Sequence, residues 1–454
     1  DVPLVGGKNA ALGEMYQHLV PKGVNIPGGF ALTAEAYRHF FRETGLDKKI
    51  KEILSDLDTT NLKNLQARGK AVRAEILRAE LPVDLKQAVA EAYKKLEQEY
   101  GENCDTAVRS SATAEDLPGA SFAGQQETYL NISGAERVLV ATKKCIASLF
   151  TDRAISYRAD KGFSHLDAAL SVGVQKMVRS DKACSGVAFT IDTESGFDKV
   201  IVINAIWGLG EFIVQGKVIP DEFIVFKPML GRAKSPIIGR RLGRKNTKLV
   251  YAKHGTVEKK VSPADEKKFS LSSAEVEKLA TWCLEVEKYF SEVHGRYQPM
   301  DLEWAKDGET GELFIVQARP ETVHSSADKN VLREYKLEKT SKVLALGIAV
   351  GAQIGSGAVR ILKSAKNIGE FQKGEVLVTE ITDPDWEPIM KIAGAIVTDK
   401  GGRTSHAAIV SRELGIPCIV GAGHATRVLK NGQKVTVDAS SGETGHVYEG
   451  LLPF

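Results

Sequence analysis

A chain of 454 residues with 43% apolar content has room for about two to four packed domains and reads as globular rather than disordered. Sixty-one Lys plus Arg against 58 Asp plus Glu leave a formal charge of +3, and no basic run interleaved with aromatics occurs, so charge gives no case for nucleic acid while leaving local phosphate sites open. The five cysteines, Cys104, Cys145, Cys184, Cys283 and Cys418, are scattered and form no Cys-x-x-Cys pair, which argues against a disulfide framework and a structural zinc site and for a reducing, cytoplasmic home.

The opening DVPLVGG carries neither Met nor a charged-then-apolar leader; the expectation is no signal peptide and an excision point at residue 1. VGGKNAAL, 5–12, places Lys8 after a glycine pair and before a helix. Residues 9–100 read as mostly helical, with Leu12, Met15, Tyr16 and Leu19 on one apolar stripe. From 106 the texture changes to short β-like runs, TAVRS, SVGVQKMV, SGVAFTI, KVIVINAI and DEFIVFK, with helices expected over 134–160 and 272–293. The pattern is that of an α+β or α/β multidomain protein. VRSSATAEDLPGASFAGQQETYLN, 108–131, surrounds Arg109 with small residues, hydroxyls, Gly119 and Gly124. Both this segment and the one around Lys8 suit a phosphate, since glycine lets backbone amides approach an anion; each alone is also an ordinary glycine turn. No Walker sequence is present: GEFIVQGKV, 210–218, has the wrong spacing and a Val where Ser or Thr must meet the metal.

PMDLEWAKDGETGELFIVQARP, 299–320, reads as a hairpin. Alternation puts Asp301 and Glu303 on one face of its first strand, away from Met300, Leu302 and Trp304, and Gln317 and Arg319 on one face of the second. Two carboxylates, an amide oxygen and a guanidinium in register suit Mg²⁺ and a polyphosphate; a solvated face with a cross-strand ion pair is the alternative. A charged, poorly periodic stretch follows, giving a linker over 326–342. VLALGIAVGAQIGSGAV, 343–359, is short for a membrane span and broken by glycines and Gln353, so it is expected to form buried strands separated by glycine turns. In GGRTSHAAIVSRELGIPCIVG, 401–421, His406 stands just inside a helix whose apolar residues are Ile409, Val410 and Leu414. It can be a capping or core histidine. As a phosphoryl acceptor it gains from free amides and the helix dipole, with room left by Gly401 and Gly402 and a hydrogen bond or cap from Thr404. Attack requires neutral imidazole.

This last stretch resembles the phosphohistidine signature of the phosphoenolpyruvate-utilising enzymes. DVPLVGGKNAALGEM, VRSSATAEDLPGASFAGQQETYLN and NAIWGLGEFIVQGKVIPDEF resemble the nucleotide-binding half of the phosphoenolpyruvate synthase (pyruvate, water dikinase) family, and the likeness extends over nearly all 454 residues. It implies an ATP-grasp-like nucleotide-binding domain over 1–325, with subdomains of about 1–190 and 191–325, the linker 326–342, and a swivelling β/β/α phosphohistidine domain over 343–454. By resemblance, Lys8, Arg109, Gly124, Thr128 and Gln175 bind ATP, with Glu211 and Asp301 as further candidates. Glu303 and Gln317 hold Mg²⁺, Arg319 contacts the phosphates, and His406 carries the phosphoryl group. The family reaction converts ATP, pyruvate and water to AMP, phosphoenolpyruvate and phosphate. Thr404 matches the position at which a regulatory kinase inactivates such enzymes, and a homo-oligomer is possible. The family's C-terminal pyruvate barrel does not follow VYEGLLPF, so the expectation is a two-domain fragment competent for the ATP half-reaction only. Pyruvate, phosphate dikinase is a more distant likeness. Rifampicin phosphotransferase fits less, because Pro320 and His406 lie too close for its antibiotic-binding domain to intervene. Two rivals stay open: an ATP-grasp ligase, which needs no His406, and a phosphocarrier module without ATP chemistry of its own.

Overall fold

The computed structural model describes all residues except 60, 114–126, 161, 233, 254, 322–333 and 441. The chain forms two compact units, one of Asp1–Val178, Tyr251–Val257 and Phe314–Arg319, the other of Arg179–Val250, Glu258–Leu313 and Pro320–Phe454.

In the first unit, helices α1 (Val2–Leu19), α2 (Ala34–Thr44), α3 (Leu46–Ile53), α4 (Leu62–Arg78), α5 (Val83–Tyr100), α6 (Ala135–Ser148) and α7 (Asp152–Asp160) accompany a sheet. Its strands are β1 (Gly29–Leu32), β2 (Thr106–Ala112), β3 (Thr128–Ile132) and β4 (Leu170–Lys176), in the antiparallel order β1-β4-β2-β3. Local chemistry sets the helix limits. Thr33 caps α2 by accepting from the Ala36 amide at 3.2 Å, and Gly45 ends it in the left-handed region. Between helices and sheet lies a core that includes Phe40, Phe41, Ile76, Tyr93, Phe150, Val172 and Val174, all buried. Fully burying such a side chain contributes about 1.5–3 kcal/mol each, which is what holds β2 and β4 under the helices.

Residues 184–306 form β5 (Cys184–Phe189), β6 (Val200–Trp207), the short α8 (Glu211–Val214), β7 (Asp221–Phe226), β8 (Ile237–Arg241), β9 (Thr247–Tyr251), β10 (Thr256–Lys260), α9 (Pro263–Glu266), α10 (Ser273–His294) and β11 (Met300–Lys306). Strands β11-β5-β6-β7-β8 form an antiparallel sheet in that order. Helix α10 opens with a reciprocal capping box between Ser272 and Glu275 and closes at left-handed Gly295. After β11 the Asp307 carboxylate accepts from the Glu309 and Thr310 amides at 2.7 and 3.0 Å, and the Asp307 amide donates to the Glu312 carbonyl at 2.7 Å. This is the expected polar turn, and β12 (Leu313–Pro320) follows it.

Residues 343–449 then form β13 (Val343–Val350), β14 (Ile354–Ile361), β15 (Val376–Thr379), α11 (Glu387–Met390), β16 (Ala395–Thr398), α12 (His406–Leu414), β17 (Cys418–Val420), α13 (Ala425–Val428), β18 (Lys434–Asp438) and β19 (Thr444–Glu449). The strands close into a seven-stranded barrel in the order β13-β17-β16-β15-β14-β18-β19. The apolar run at 343–359 divides into two strands around Gly351, whose φ of +91° is a turn conformation that glycine adopts without steric cost. Among the described residues no helix is long and apolar enough to cross a membrane. All five cysteines are buried free thiols, and burial pushes Cys184 and Cys418 up to about 12.

One polar cluster is fully enclosed in the second unit. The Asp221 carboxylate, at the start of β7, accepts from Lys245, from the Gly243 amide at 2.9 Å, and from the Ser270 amide and hydroxyl, both at 2.8 Å. Neither charged side chain is exposed to solvent. Removing one partner leaves an uncompensated buried charge. Lys245→Met is therefore expected to lower stability by about 3–5 kcal/mol, read as a fall in the denaturation midpoint, whereas truncating an exposed lysine such as Lys268 changes it little.

Candidate active site

In the first unit, α1 is interrupted at Gly6, whose φ of +71° and ψ of +164° are not helical. A Cβ there would stand 2.3 Å from the Ser111 hydroxyl and 2.6 Å from its carbonyl oxygen, so only glycine lets α1 approach β2 this closely. The regular helix resumes beside Lys8, as the glycine pair predicts. Asn9, absent from the sequence expectations, fixes this junction: its amide nitrogen donates to the Ser171 hydroxyl at 3.0 Å.

Arg109 is half-buried on β2, directly opposite Thr128 on β3. Its guanidinium donates to the Gln175 amide oxygen on β4 at 2.6 Å and to the Gln317 amide oxygen at 3.2 Å. Both glutamines are buried. Arg109, Thr128 and Gln175 thus share one sheet and Gln317 on β12 reaches the same guanidinium, which leaves the arginine oriented by acceptors and partly desolvated, the state in which a fixed cation acts most strongly on a phosphate. Gln175 is itself pinned by a contact from its amide nitrogen to the Pro27 carbonyl at 3.4 Å. Arg319 is half-buried in the same unit. Gly124 lies outside the described residues.

In the second unit, the burial of β11 alternates as expected: Met300, Leu302 and Trp304 are buried, while Asp301 and Glu303 are half-buried on the opposite face. Glu211 is the first residue of α8. Among the described residues no group of three or more His, Cys, Asp and Glu forms a metal cage. A magnesium ion does not need one, because it is commonly held by one or two carboxylates together with waters and substrate phosphates. Glu303 and Gln317 are suitable hard oxygen donors, with the condition that the Gln317 oxygen is also the acceptor for Arg109.

His406 is the first residue of α12, and Ser405, not Thr404, holds the cap position, without a side-chain cap bond. The helix ends at left-handed Gly415. The His406 Nδ1 lies 3.0 Å from the Thr382 hydroxyl, and its Nε2 lies 3.8 Å from a Glu387 oxygen, beyond hydrogen-bond reach. Nε2 and the hydroxyls of Thr404 and Ser405 are buried without a hydrogen-bond partner. In the tautomer whose Nδ1–H donates to Thr382, the lone pair is on Nε2, the nitrogen that can then attack phosphorus.

Residues 2–339 match the family described as "Pyruvate phosphate dikinase, AMP/ATP-binding domain", and residues 371–442 match "PEP-utilising enzyme, mobile domain". The chain belongs to the pyruvate phosphate dikinase AMP/ATP-binding domain family. Three proteins named phosphoenolpyruvate synthase are similar to this dikinase-family chain along its whole length: those of Aquifex aeolicus at 55% identity, Synechocystis sp. at 54% and Escherichia coli at 50%. The alignments cover 54%, 56% and 57% of those relatives, so the chain spans about half their length. A solution structure of an Enzyme I (nEIt) protein matches 18% of this chain and 33% of its own at 33% identity, with a TM-score of 0.16, too low to bear on the fold.

Around His406, Thr382 and Glu387 escape a reading of sequence. They lie in TDPDWEP, whose Asp-Pro pair signals only a turn, and nothing local says that the turn folds onto a histidine in a later helix. Thr382→Val is expected to slow phosphorylation of His406 by roughly 10–100-fold, because the imidazole loses the hydroxyl that orients its ring. Time-resolved labelling with ATP checks this, with nucleotide binding unchanged.

Proposed function

We propose that this chain is the ATP-using, phosphohistidine-forming part of a phosphoenolpyruvate synthase. In the complete enzyme ATP, pyruvate and water become AMP, phosphoenolpyruvate and phosphate. The observation that carries the reading is His406 at the head of α12 with Nδ1 held by Thr382, in a chain whose other part matches an AMP/ATP-binding domain.

In this reading an ATP-grasp-like domain, 1–325, is joined by a linker, 326–342, to a swivelling phosphohistidine domain, 343–454. Arg109, Thr128, Gln175 and Lys8 bind the nucleotide with Gly124, Glu211 and Asp301, and Arg319 neutralises phosphate charge. Glu303 and Gln317 would hold Mg²⁺, which would supply neutralisation of phosphate charge when bound. The chain's own residues orient the acceptor. Thr382 takes the Nδ1 proton's hydrogen bond, Nε2 forms the new bond to phosphorus as the bond from that phosphorus to AMP breaks, water releases the terminal phosphate as inorganic phosphate, and the amides at the start of α12 stabilise the phosphohistidine dianion that remains. Pyruvate then takes the phosphoryl group in the complete enzyme.

Thr404 is the proposed target of a regulatory kinase, and a phosphate two residues from His406 would repel the incoming triphosphate. Its hydroxyl is buried, so a kinase must act on an arrangement that exposes it. A cytoplasmic, homo-oligomeric enzyme completes the proposal. The test is nucleotide analysis after incubation of the chain with Mg-ATP: AMP is expected in step with protein-bound phosphate. Accumulation of ADP with phosphate on an added carboxylate substrate would support an ATP-grasp ligase and overturn the reading.

A further inference from the structure

Helix α12 is gripped at both ends by residues of the 179–313 segment. At its C-terminal end, Arg412 donates through Nε to a Glu194 oxygen at 2.9 Å and through a second nitrogen to the same oxygen, while the other Glu194 oxygen accepts from the Gly351 amide at 3.1 Å. Both side chains are nearly withdrawn from solvent, Arg412 at 7% and Glu194 at 16% exposure. Glu194 is presented by a preordered loop: Asp192 accepts from the Glu194 amide at 3.1 Å and from the Ser195 hydroxyl at 2.6 Å, and the Asp192 amide donates to the Phe197 carbonyl at 3.0 Å.

At the other end, the loop that leads into His406 lies against residues 216–220. A Cβ on Gly216 would stand 2.6 Å from the Ser405 Cβ and 3.3 Å from the Gly401 Cα, and one on Gly402 would stand 3.1 Å from Pro220. Gly216 stands just past Gln215, the residue that closes α8, and α8 begins at Glu211. Nine residues of helix span about 13 Å, so the two grips together fix both the position and the rotation of the element that carries His406.

A buried ion pair is weak evidence for stability, because desolvation offsets most of the Coulomb gain; its best-attested use is to select one arrangement over others. Removing Glu194 would strand a desolvated guanidinium, and every arrangement that moves α12 away from β5 and its following loop must pay that cost. We propose that Glu194 and Arg412 are positioning residues for phosphoryl transfer, whose ion pair holds α12 with His406 beside the segment that follows Glu211. The inference rests on the phosphohistidine reading given above. Neither residue touches the reacting atoms, so their effect is on how often His406 is in place.

The experiment compares the unaltered chain with Glu194→Ala and the near-isosteric Glu194→Gln, using Mg-ATP as the probe. The unaltered chain labels at His406. In Glu194→Ala the rate constant of labelling falls by roughly 10–100-fold, as expected when a reacting group is misplaced by about an ångström, while ATP affinity is unchanged; Glu194→Gln falls in between. Hydrogen exchange at the Gly351 amide and across 401–405 accelerates in Glu194→Ala, a change that a defect in ATP chemistry alone would not produce. Labelling of both variants at the unaltered rate, or faster, overturns the positioning role while leaving the phosphohistidine reading standing. Absence of label in the unaltered chain overturns both.

Discussion

Replacing His406 with Asn is expected to abolish an acid-labile, base-stable phosphorylation of this chain by ATP while leaving ATP binding nearly intact. Asn keeps a polar side chain of smaller size at the start of α12, where the cap position is already occupied by Ser405, so the fold has no reason to fail. What it removes is Nε2, the atom left with a lone pair when Nδ1 engages Thr382. The stability pattern follows from the bond: protonating a phosphorylated imidazole makes it a better leaving group, so acid releases the phosphate and base does not. The measurement is phosphate retained on the chain after acid and alkaline treatment. Undiminished labelling of His406→Asn, or label that survives acid, would place the phosphoryl group elsewhere.

The second large effect is expected at Arg109. Arg109→Ala removes the cation that bridges Gln175 and Gln317, and both amides are buried, so each loses a charged donor along with the charge proposed to meet phosphate. Loss of electrostatic stabilisation of a transferring phosphoryl group costs several kcal/mol, roughly 10²-fold or more in rate. Arg109→Lys is expected to recover only a small part, since one ammonium on a flexible stem cannot hold two separated acceptors as a planar fork does. The rate of His406 labelling at saturating ATP separates this from weakened binding. Rates for both variants within a few-fold of the unaltered chain would remove Arg109 from the phosphate site.

Much of this architecture is legible in the residues because the relevant signals are local. Period-2 alternation in MDLEWAK sorts Met300, Leu302 and Trp304 from Asp301 and Glu303 as the strand does, and His406 opens a helix as the apolar spacing after it suggests. The glycine pair before Lys8 reads correctly as a break, and the structure adds its reason, the approach of Gly6 to Ser111. Pairings between distant residues are not legible. Nothing near Thr382 or Glu194 in sequence indicates that one meets His406 and the other Arg412, since register and loop closure are set by tertiary packing. The cap shows the same limit on a small scale: Thr404 and Ser405 are both good cap residues, and only the backbone decides that Ser405 takes the position. Closure of the strands after Val343 into a barrel likewise depends on β13 meeting both β17 and β19, which no single segment encodes.

Peptide mapping of the chain after brief incubation with Mg-ATP, under conditions that preserve phosphoramidate bonds, tests the central claim most directly. One phosphoryl group on the peptide that contains His406, formed in step with AMP, is the result this account predicts. Bound ATP with no modified peptide, or a phosphoryl group on any residue other than His406, would contradict it.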